Sequence, residues 1–359
     1  MTTLEVRALF HPEPGTAYLD AATYGLPPLP TVDAMETALH DWQAGRAKWR
    51  EDWDRQGDVC RALFADLIGA MTEEIALVPT VSVGVAPVFA ALNPGDEVVV
   101  PADEFTSVLF PLLVAEEQRG IVVRQVAYEA LPDAIDEWTR LVAFSLVQSQ
   151  GGRTAPLADI CGVARRHDAR VLVDATHAIP FVPVTEHLGA IDVLICHGYK
   201  HLLCPRGVGF LYVRRDRWQE IPPIHANWRA ADPLCTRSYG GPLSPAPGAA
   251  RFDVSLDWLA WVGARQSLEL LVRWQQEGVL TPVLGLSGTL ADRRGLPRPS
   301  SSIVAVPVHD AQAALGMLDA AGVRAAAPAG VIRLSPHVYN TADDVERAAA
   351  LLGPLVTTG

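Results

Sequence analysis

The chain has 359 residues, of which 49% are apolar and 19% charged, a composition typical of a compact α/β protein large enough for two lobes. Its formal net charge of -12 argues against nucleic acid or an anionic membrane surface as a partner. The five cysteines show no CxxC spacing, which favours a reducing, cytoplasmic environment, and the opening MTTLEVRALF leads us to expect no signal peptide.

The first quarter of the chain predicts a short strand, a turn and two helical regions. Residues 16–28, TAYLDAATYGLPP, begin as a strand and end in a Gly/Pro turn, and apolar residues at 3–4 spacing predict helix over 31–67. We interpret its charged middle, GRAKWREDWDRQ, as a solvated face or a dimer contact. Residues 75–92 carry no charge and would nearly span a bilayer. Because Pro79 and Pro87 interrupt this run, we expect a strand, a turn and a helix of the buried core instead.

Seven short apolar runs between residues 75 and 213 alternate mostly with helical patterns. This alternation predicts a doubly wound, largely parallel sheet. The last run follows the sixth too closely for a crossover helix, so we expect that strand to be antiparallel. The seven runs are 75–79, 97–101, 122–127, 141–147, 170–174, 192–196 and 208–213.

The remaining third predicts long loops and then a second lobe. Residues 222–250 are rich in Pro and Gly, which indicates loops, and within them Trp228 and Arg229 are candidates for a substrate pocket. A long helix, DWLAWVGARQSLELLVRWQQ, leads into the second lobe. There SSIVAVPV and GVIRLS predict strands, DAQAALGMLDAAG predicts a helix, and a capping box of Thr341 and Asp344 predicts the start of the last helix.

Two charged residues follow neighbouring strands of the predicted sheet. The run VLV stops at Asp174, and the run VLIC is followed by His-Gly-Tyr and Lys200. Because ligands of α/β sheets bind at the carboxyl ends of the strands, we expect both side chains to face one crevice. A surface lysine and a strand-end aspartate that never meet are the alternative.

Such a pair suits pyridoxal phosphate. A lysine amine forms a Schiff base with its aldehyde, and a buried carboxylate keeps its ring nitrogen protonated. At about 4 Å and an effective dielectric constant near 20, that contact is worth about 4 kcal/mol, or about 3 pKa units. The sequence therefore predicts pyridoxal phosphate as cofactor, with Lys200 as the catalytic residue and Asp174 at the ring nitrogen.

Five segments, VLVDATHA, ICHGYKHLLCPRGVGFLYV, YLDAATYG, LNPGDEVVVPADEFTSVLFPL and VIRLSPHVYNT, resemble the class V aminotransferase family. This family of pyridoxal-phosphate enzymes includes cysteine desulfurases, C–S lyases, kynureninases and isopenicillin-N-epimerase-like proteins. The resemblance implies the α/β architecture of a fold type I transferase, with a seven-stranded, mostly parallel sheet in a large domain, 21–255. It also implies a smaller α+β C-terminal domain, 256–359, with which an N-terminal segment, 1–20, packs.

The resemblance also implies a homodimer, because relatives build each site at a subunit boundary. Relatives commonly carry a Gly-Thr pair whose hydroxyl reaches the partner's phosphate. This chain has Ser255 and Leu256 at that place, and Ser255 is the candidate replacement.

By the same resemblance, Val81 through its N–H group and Ser82 hold the cofactor phosphate. A helix N-terminus with a hydroxyl beside it suits an anion. The alternative is that Thr80 or Ser82 only caps the helix, and both roles are compatible. His197 and Tyr199 are expected on the phosphate side of the site.

Four further positions are expected around the cofactor ring. Phe105 occupies the place of the aromatic or histidine that stacks on the ring face, where it supplies burial and orientation. His177 matches the residue that bonds the ring hydroxyl, and Gln148 or Ser149 is expected to reach the edge of the cofactor.

For the substrate, the resemblance assigns Arg333 to the α-carboxylate, because a guanidinium makes a bidentate pair with a carboxylate. A structural ion pair on that strand is the alternative. The resemblance places Ala22 at the substrate mouth. His197 and His201 form an HxxxH pair, but no further ligand cluster accompanies them, and we expect no metal.

The expected function is chemistry at Cα of a small amino-acid-like substrate. Cysteine desulfurases carry a cysteine shortly before the carboxylate arginine, whereas AAGVRAAAPAGVIRLS has none, so we expect that this chain is not a cysteine desulfurase. A C–S lyase-like β-elimination is favoured, with transamination and epimerisation as alternatives, and each begins with Lys200 as base on the α-proton. The alternative to an enzyme is a scaffold that binds the cofactor without turnover. The presence of both Lys200 and Arg333 argues against it.

Overall fold

The computed structural model describes residues 2–233 and 239–353. Cys235, part of the predicted 222–250 loops and the end of the predicted C-terminal domain lie outside the described residues. The strands are β1 Ala17–Tyr18, β2 Ile75–Val78, β3 Glu97–Pro101, β4 Val122–Val126, β5 Thr139–Ser145, β6 Arg170–Asp174, β7 Val193–His197, β8 Gly209–Val213, β9 Val304–Pro307, β10 Val323–Arg324 and β11 Val331–Leu334. The helices are α1 Thr3–Arg7, α2 Leu29–Gln43, α3 Arg55–Ile68, α4 Val81–Ala90, α5 Thr106–Arg119, α6 Leu131–Ala134, α7 Leu157–Arg166, α8 Trp258–Gln276, α9 Thr281–Arg293, α10 Ala311–Ala320 and α11 Ala342–Leu352.

The central layer is a mostly parallel sheet. Within residues 2–233 and 239–353, seven strands pair in the order β2-β8-β7-β6-β5-β3-β4. Strand β8 is antiparallel to both β2 and β7, whereas the other pairs are parallel. The predicted sheet and its antiparallel last strand are therefore confirmed, and the predicted runs coincide with the observed strands to within about two residues.

The sheet is buried on both faces. In β6, Val171 and Val173 join one hydrophobic cluster and Leu172 joins the other, as the two-residue period of a strand requires. Sequence order reverses where β3 pairs with β4 on one side and β5 on the other. The carboxyl ends of β5, β6 and β7 thus meet at one edge, where doubly wound sheets bind ligands.

The uncharged run 75–92 forms β2 and α4 rather than a single helix, as predicted. Strand β2 is buried within the sheet, and α4 is largely buried against it. Among the described residues, no helix is long and apolar enough to cross a membrane.

A third hydrophobic cluster joins the two ends of the chain. Strand β1 pairs parallel with β10, β9 pairs antiparallel with β11, and Ala17 and Leu19 pack with residues of β9, β11 and α11. The predicted capping box of Thr341 and Asp344 is present at α11. Helix α8 packs on α2 and α3. The domain limits at residues 20 and 255 remain a prediction.

One expectation about a charged residue is corrected. In the segment GRAKWREDWDRQ, Trp49–Asp54 forms a π-helical turn in which Trp53 and Asp54 are buried; the rest of the segment is exposed or partly exposed, as expected for a solvated face, and a dimer contact there stays a prediction. Arg229 does not serve a substrate pocket, because its guanidinium is buried against Asp54, Asp58 and Asp253. A buried cation needs such partners, and these carboxylates are far from it in sequence.

Candidate active site

Lys200 lies in the turn after β7, and its side chain is buried. Its Nζ is 2.8 Å from Nε2 of His177, which follows β6. The same nitrogen lies 5.2 Å from the ring centroid of Phe105 and 5.6 Å from that of Tyr199. The structure thus brings together the amine and three of the predicted cofactor residues, which come from three different connections of the sheet.

Asp174 ends β6, the strand beside β7. Its Oδ1 accepts a hydrogen bond from the N–H of Thr176 at 2.9 Å, and the Thr176 hydroxyl accepts one from the N–H of His197 at 3.1 Å. Burial raises the pKa of Asp174, although its hydrogen bonds and the charge of Lys200 oppose the shift. Burial lowers the pKa of Lys200 to about 8, and the Asp174 carboxylate partly offsets this effect. The two groups therefore lie close enough for each to shift the pKa of the other.

His177 is neutral in this environment. Its pKa lies well below the ordinary value, because the ring is buried and Lys200 is positively charged. If Nε2 accepts from the ammonium, the proton of the neutral ring lies on Nδ1. That atom is buried without a hydrogen-bond partner among the described residues.

The part of the site that is predicted to bind the cofactor phosphate lies at the start of α4. The Thr80 hydroxyl accepts from the N–H of Val83 at 3.3 Å and lies 3.2 Å from the Ser82 hydroxyl, so Thr80 caps the helix. The N–H groups of Val81 and Ser82 belong to the first turn, whose donors have no partner inside a helix. A Cβ on Gly84 would lie 2.5 Å from the Ile195 side chain, so glycine allows α4 to pack closely on β7.

His197 is at the end of β7 and its ring lies 4.4 Å from that of Tyr199, centroid to centroid. Burial lowers the pKa of His197 to about 4, so the ring is neutral at physiological pH. Its Nε2 is buried and has no hydrogen-bond partner within the described ranges. The Tyr199 ring also lies 5.4 Å from the Arg206 guanidinium.

Gln148 and Ser149 follow β5 and already have partners. The Gln148 amide donates to Asp103 at 3.0 Å and accepts from the N–H of Gly151 at 2.6 Å. The Ser149 carbonyl accepts from Nη1 of Arg333 at 2.8 Å. The loop therefore holds the arginine, and a direct role of these two residues at the cofactor edge stays a prediction.

The two predicted substrate residues lie on β11 and on the segment that follows β1. Arg333 lies on β11, is 6% exposed, and its charge contributes to the low pKa of Lys200. Ala22 is buried, and its N–H donates to the Ser335 hydroxyl at 2.7 Å. The segment after β1 is thus bonded to the chain just beyond β11, next to Arg333.

Glu104 is a residue of the site region to which the sequence interpretation gave no role. Its carboxylate accepts from the N–H of Ser145 at 2.7 Å and from the N–H of Phe105 at 2.8 Å. Burial raises its pKa to about 7. Its position directly before Phe105, after an apolar strand, is the signal that indicates a residue orienting the aromatic ring.

These side chains fit pyridoxal phosphate on the chemistry of their donors and acceptors. The buried, unpartnered nitrogens of His177 and His197 and the N-terminus of α4 supply uncommitted polar groups for a ring hydroxyl and a phosphate. Asp174 is a buried acceptor for a ring N–H. Within residues 2–233 and 239–353, no group of three His, Cys, Asp or Glu side chains is arranged to hold a metal ion.

Comparison with known proteins gives the same assignment. A model of the family described as Aminotransferase class-V matches residues 17–240. A relative named probable cysteine desulfurase, from Methanothermobacter thermautotrophicus, is 26% identical and covers 95% of each chain. A relative named isopenicillin N epimerase, from Streptomyces clavuligerus, is 27% identical and covers 82% of this chain and 83% of its own.

Solved structures share the fold. The cystine C–S lyase C-DES, in complex with its reaction product cysteine persulfide, matches with a TM-score of 0.85 at 21% identity over 95% of this chain and 98% of its own. A mutant of C-DES with glycine covalently linked to its pyridoxal-phosphate cofactor matches with a TM-score of 0.86 at 22% identity, over 97% of this chain and 99% of its own. The predicted fold type I architecture and the predicted cofactor are confirmed.

The expectation that the chain is not a cysteine desulfurase is wrong. Relatives with that name align with 95% and 99% of this chain. The exclusion depended on one loop without a cysteine, and that single difference does not outweigh an alignment over nearly the whole chain. The prediction that favoured β-elimination over desulfurase chemistry depended on this exclusion, so it is withdrawn as well.

The family match spans more than half of the chain, and its motifs meet at one edge of the sheet. The chain belongs to the class V aminotransferase family and is a pyridoxal-phosphate-dependent enzyme.

Proposed function

We propose that this enzyme breaks the carbon–sulfur bond of L-cysteine or its disulfide L-cystine. The reaction class is supported by the relatives named cysteine desulfurase and by the fold shared with a cystine C–S lyase. The observation that supports an α-amino-acid substrate is a buried arginine, Arg333, which is bound to the Ser149 carbonyl after β5, at the sheet edge where the buried amine of Lys200 follows β7. A cofactor aldehyde held at Lys200 would react with the α-amino group, and the Arg333 guanidinium would bind the α-carboxylate, so the two would match the groups that every α-amino acid carries on Cα.

Arg333 is the proposed partner of the substrate α-carboxylate. Its Nε–H is buried and has no partner among the described residues, so at least one guanidinium donor remains for a ligand. A bidentate pair with a carboxylate supplies orientation as well as affinity, which a lysine ammonium does not. Ala22, on the neighbouring segment, is proposed to line the substrate mouth.

The bound cofactor supplies an electron sink that makes the bonds at Cα easier to break. Lys200 is the proposed base for the proton at Cα, and a pKa near 8 suits proton transfer at neutral pH. Asp174 is proposed to hold a proton at the ring nitrogen, and His177 to bond the ring hydroxyl. Phe105 is proposed to cover the ring face and exclude water.

The remaining proposed contacts hold the phosphate. Val81 through its N–H group and Ser82 through its hydroxyl lie at the start of α4, where an anion is favoured. His197 and Tyr199 are proposed to face the same end. Gln148 and Ser149 are proposed at the cofactor edge, where Ser149 also holds Arg333.

The proposed sulfur acceptor is not one of the four described cysteines. Cys60, Cys161, Cys196 and Cys204 are buried, and burial raises the pKa of each thiol. A thiol that stays protonated is a poor nucleophile toward sulfur. An external thiol or the substrate itself is the proposed acceptor, and Cys235 is tested directly.

Sulfide and carbon products from purified holoenzyme test the reaction. With L-cysteine and dithiothreitol, we expect sulfide together with alanine, whereas L-cystine yields cysteine persulfide with pyruvate and ammonia if the bond breaks by elimination. Conversion of the cofactor to its amine form without sulfide would instead indicate transamination. Lys200→Ala is expected to release no sulfide, and Cys235→Ser to keep the wild-type rate.

We also propose a cytoplasmic homodimer. Apolar side chains of α5 are exposed in the described structure, with Phe110 at 57% and Val114 at 49%. They lie in a groove with Ser82, so a second copy that covers them would border the phosphate end of the site. Light scattering is expected to give twice the 38.6 kDa chain mass, and Phe110→Glu to give monomers. A monomeric wild-type protein would contradict the proposal.

A further inference from the structure

The guanidinium of Arg333 is held from two sides. Nη1 donates to the Ser149 carbonyl at 2.8 Å, on the loop after β5. Nη2 donates to the hydroxyl of Thr23, in the segment after β1, at 2.7 Å. With both terminal nitrogens anchored, the plane of the guanidinium has one orientation, and the buried Nε–H faces no partner among the described residues.

The direction of the Thr23 hydroxyl is set by Asp20. The hydroxyl donates to Oδ1 of Asp20 at 2.8 Å, and an ionised carboxylate only accepts. The hydroxyl proton therefore points to Asp20, and the oxygen lone pairs are left to accept from Arg333. The Asp20 carboxylate itself lies 3.6 Å from Nη2 and is 9% exposed, so it also compensates the buried charge.

The segment that carries Thr23 is fixed to the strand that carries Arg333. Leu19 accepts from the N–H of Ser335 at 2.7 Å, and Ala22 donates to the Ser335 hydroxyl, also at 2.7 Å. Ser335 lies just beyond β11. Thr23 thus keeps its place relative to the guanidinium, although 310 residues separate the two along the chain.

We infer that Thr23 is a positioning residue that orients Arg333 for the substrate α-carboxylate, and that Asp20 orients Thr23. This inference rests on the proposed role of Arg333 in substrate binding. Its consequence is selectivity, because an aligned guanidinium favours amines that carry an α-carboxylate over amines that lack one. Thr23 is exposed, so a change of its side chain leaves the packing of the core intact.

Spectral titration of the holoenzyme tests the inference without turnover of sulfur. L-Alanine and ethylamine are the probes, since they share an amine and differ by the carboxylate. We expect Thr23→Val to raise the Kd for L-alanine about 10-fold, because a hydrogen bond to a charged group is lost. Thr23→Ser is expected to stay within about 3-fold of the wild type, because it keeps the hydroxyl, and the Kd for ethylamine is expected to be unchanged in both variants.

In turnover, Thr23→Val is expected to raise KM and to leave kcat unchanged. This is the result expected when the lost contact stabilises the bound substrate and the transition state equally. An unchanged Kd for L-alanine, equal weakening of ethylamine, or failure of Thr23→Ser to restore binding would each overturn the inference. A wild type that binds both probes equally would remove the role of Arg333 and this inference together. Wild-type selectivity for L-alanine without sulfide release from L-cysteine would reject the proposed reaction only.

Discussion

At the scale of single residues, the proposed chemistry depends on a lysine whose charged form is disfavoured by burial. Burial lowers the pKa of Lys200 from an ordinary 10.5 to about 8, while Asp174 opposes the shift. A lysine with the ordinary value would be almost wholly protonated at pH 7.5, and a protonated amine is not a nucleophile. The low-dielectric site therefore maintains a useful fraction of neutral amine at physiological pH.

The pH dependence of cofactor capture tests this view. Below its pKa the amine carries a proton and cannot attack, so the capture rate is expected to rise with pH around a midpoint near 8 rather than 10.5. Asp174→Asn removes the carboxylate that favours the protonated form, so it is expected to move the midpoint below 8. Stopped-flow absorbance after apoenzyme is mixed with pyridoxal phosphate measures the capture rate of the wild type and of Asp174→Asn.

Lys200→Ala is the control. It is expected to show no absorbance band of the Schiff base between the lysine and the cofactor at any pH. A variant that retains the band would remove the assignment of Lys200. A wild-type midpoint near 10 would show that the amine is solvated when the cofactor arrives.

At the scale of elements, the loop between β3 and α5 sets the place of Phe105. The Glu104 carboxylate accepts backbone N–H groups from both sides, one from Ser145 on β5 and one from Phe105 itself. The loop is therefore fixed to the neighbouring strand, and the ring stays near Lys200. The Ser145 hydroxyl also donates to Glu104. Burial disfavours the ionised form of Glu104, whose pKa is about 7, so these three donors act against a substantial desolvation cost.

Glu104→Gln is expected to destabilise the protein, although it preserves shape. Both carboxylate oxygens accept from N–H donors, so an amide would place its own NH₂ against one of them and leave a buried donor unpaired. The expected loss of unfolding free energy is about 2 kcal/mol, measured by urea denaturation. Glu346→Gln is the matched control, because Glu346 pairs with the exposed Arg293 on the surface. Equal stability of Glu104→Gln and wild type would show that the loop does not depend on these bonds.

At the scale of the whole molecule, a buried ion cluster connects distant segments. Arg229 and Arg61 share the Asp253 carboxylate, which also accepts from the N–H of Leu77 at the sheet edge. Asp54, at the start of α3, pairs with the same Arg229. Buried charged groups thus connect the loops, the helix and the sheet. Such a cluster stabilises the fold only while every buried charge has its partner.

Arg229→Ala is expected to be severely destabilising, because it leaves Asp54 and Asp253 buried with one partner fewer. The expected loss is about 3–5 kcal/mol of unfolding free energy, seen in urea denaturation or as a large fall in Tm. Arg298→Ala is the matched control, since Arg298 pairs with Asp292 on the surface, and no measurable change is expected. Similar losses in the two variants would show that burial of the cluster does not matter.

Much of the fold was predictable because it depends on local patterns. Runs of apolar residues, the interruptions at Pro79 and Pro87, and the short connection before β8 indicated the sheet and its antiparallel strand. The expectation that Asp174 and Lys200 face one crevice followed from the rule that strands of a doubly wound sheet present their carboxyl ends at one edge. The family motifs added the expected role of Arg333.

The sequence by itself determined the order of strands and helices and the cofactor, and it predicted the reactive lysine, since each is written in a continuous stretch of residues. Only the tertiary structure decided that Thr23 and Asp20 hold Arg333, and that Arg229 completes a buried cluster instead of a substrate pocket. The partners in these networks lie 310 and 175 residues apart. Which side chains meet across such distances depends on how whole elements pack, and no local periodicity encodes it.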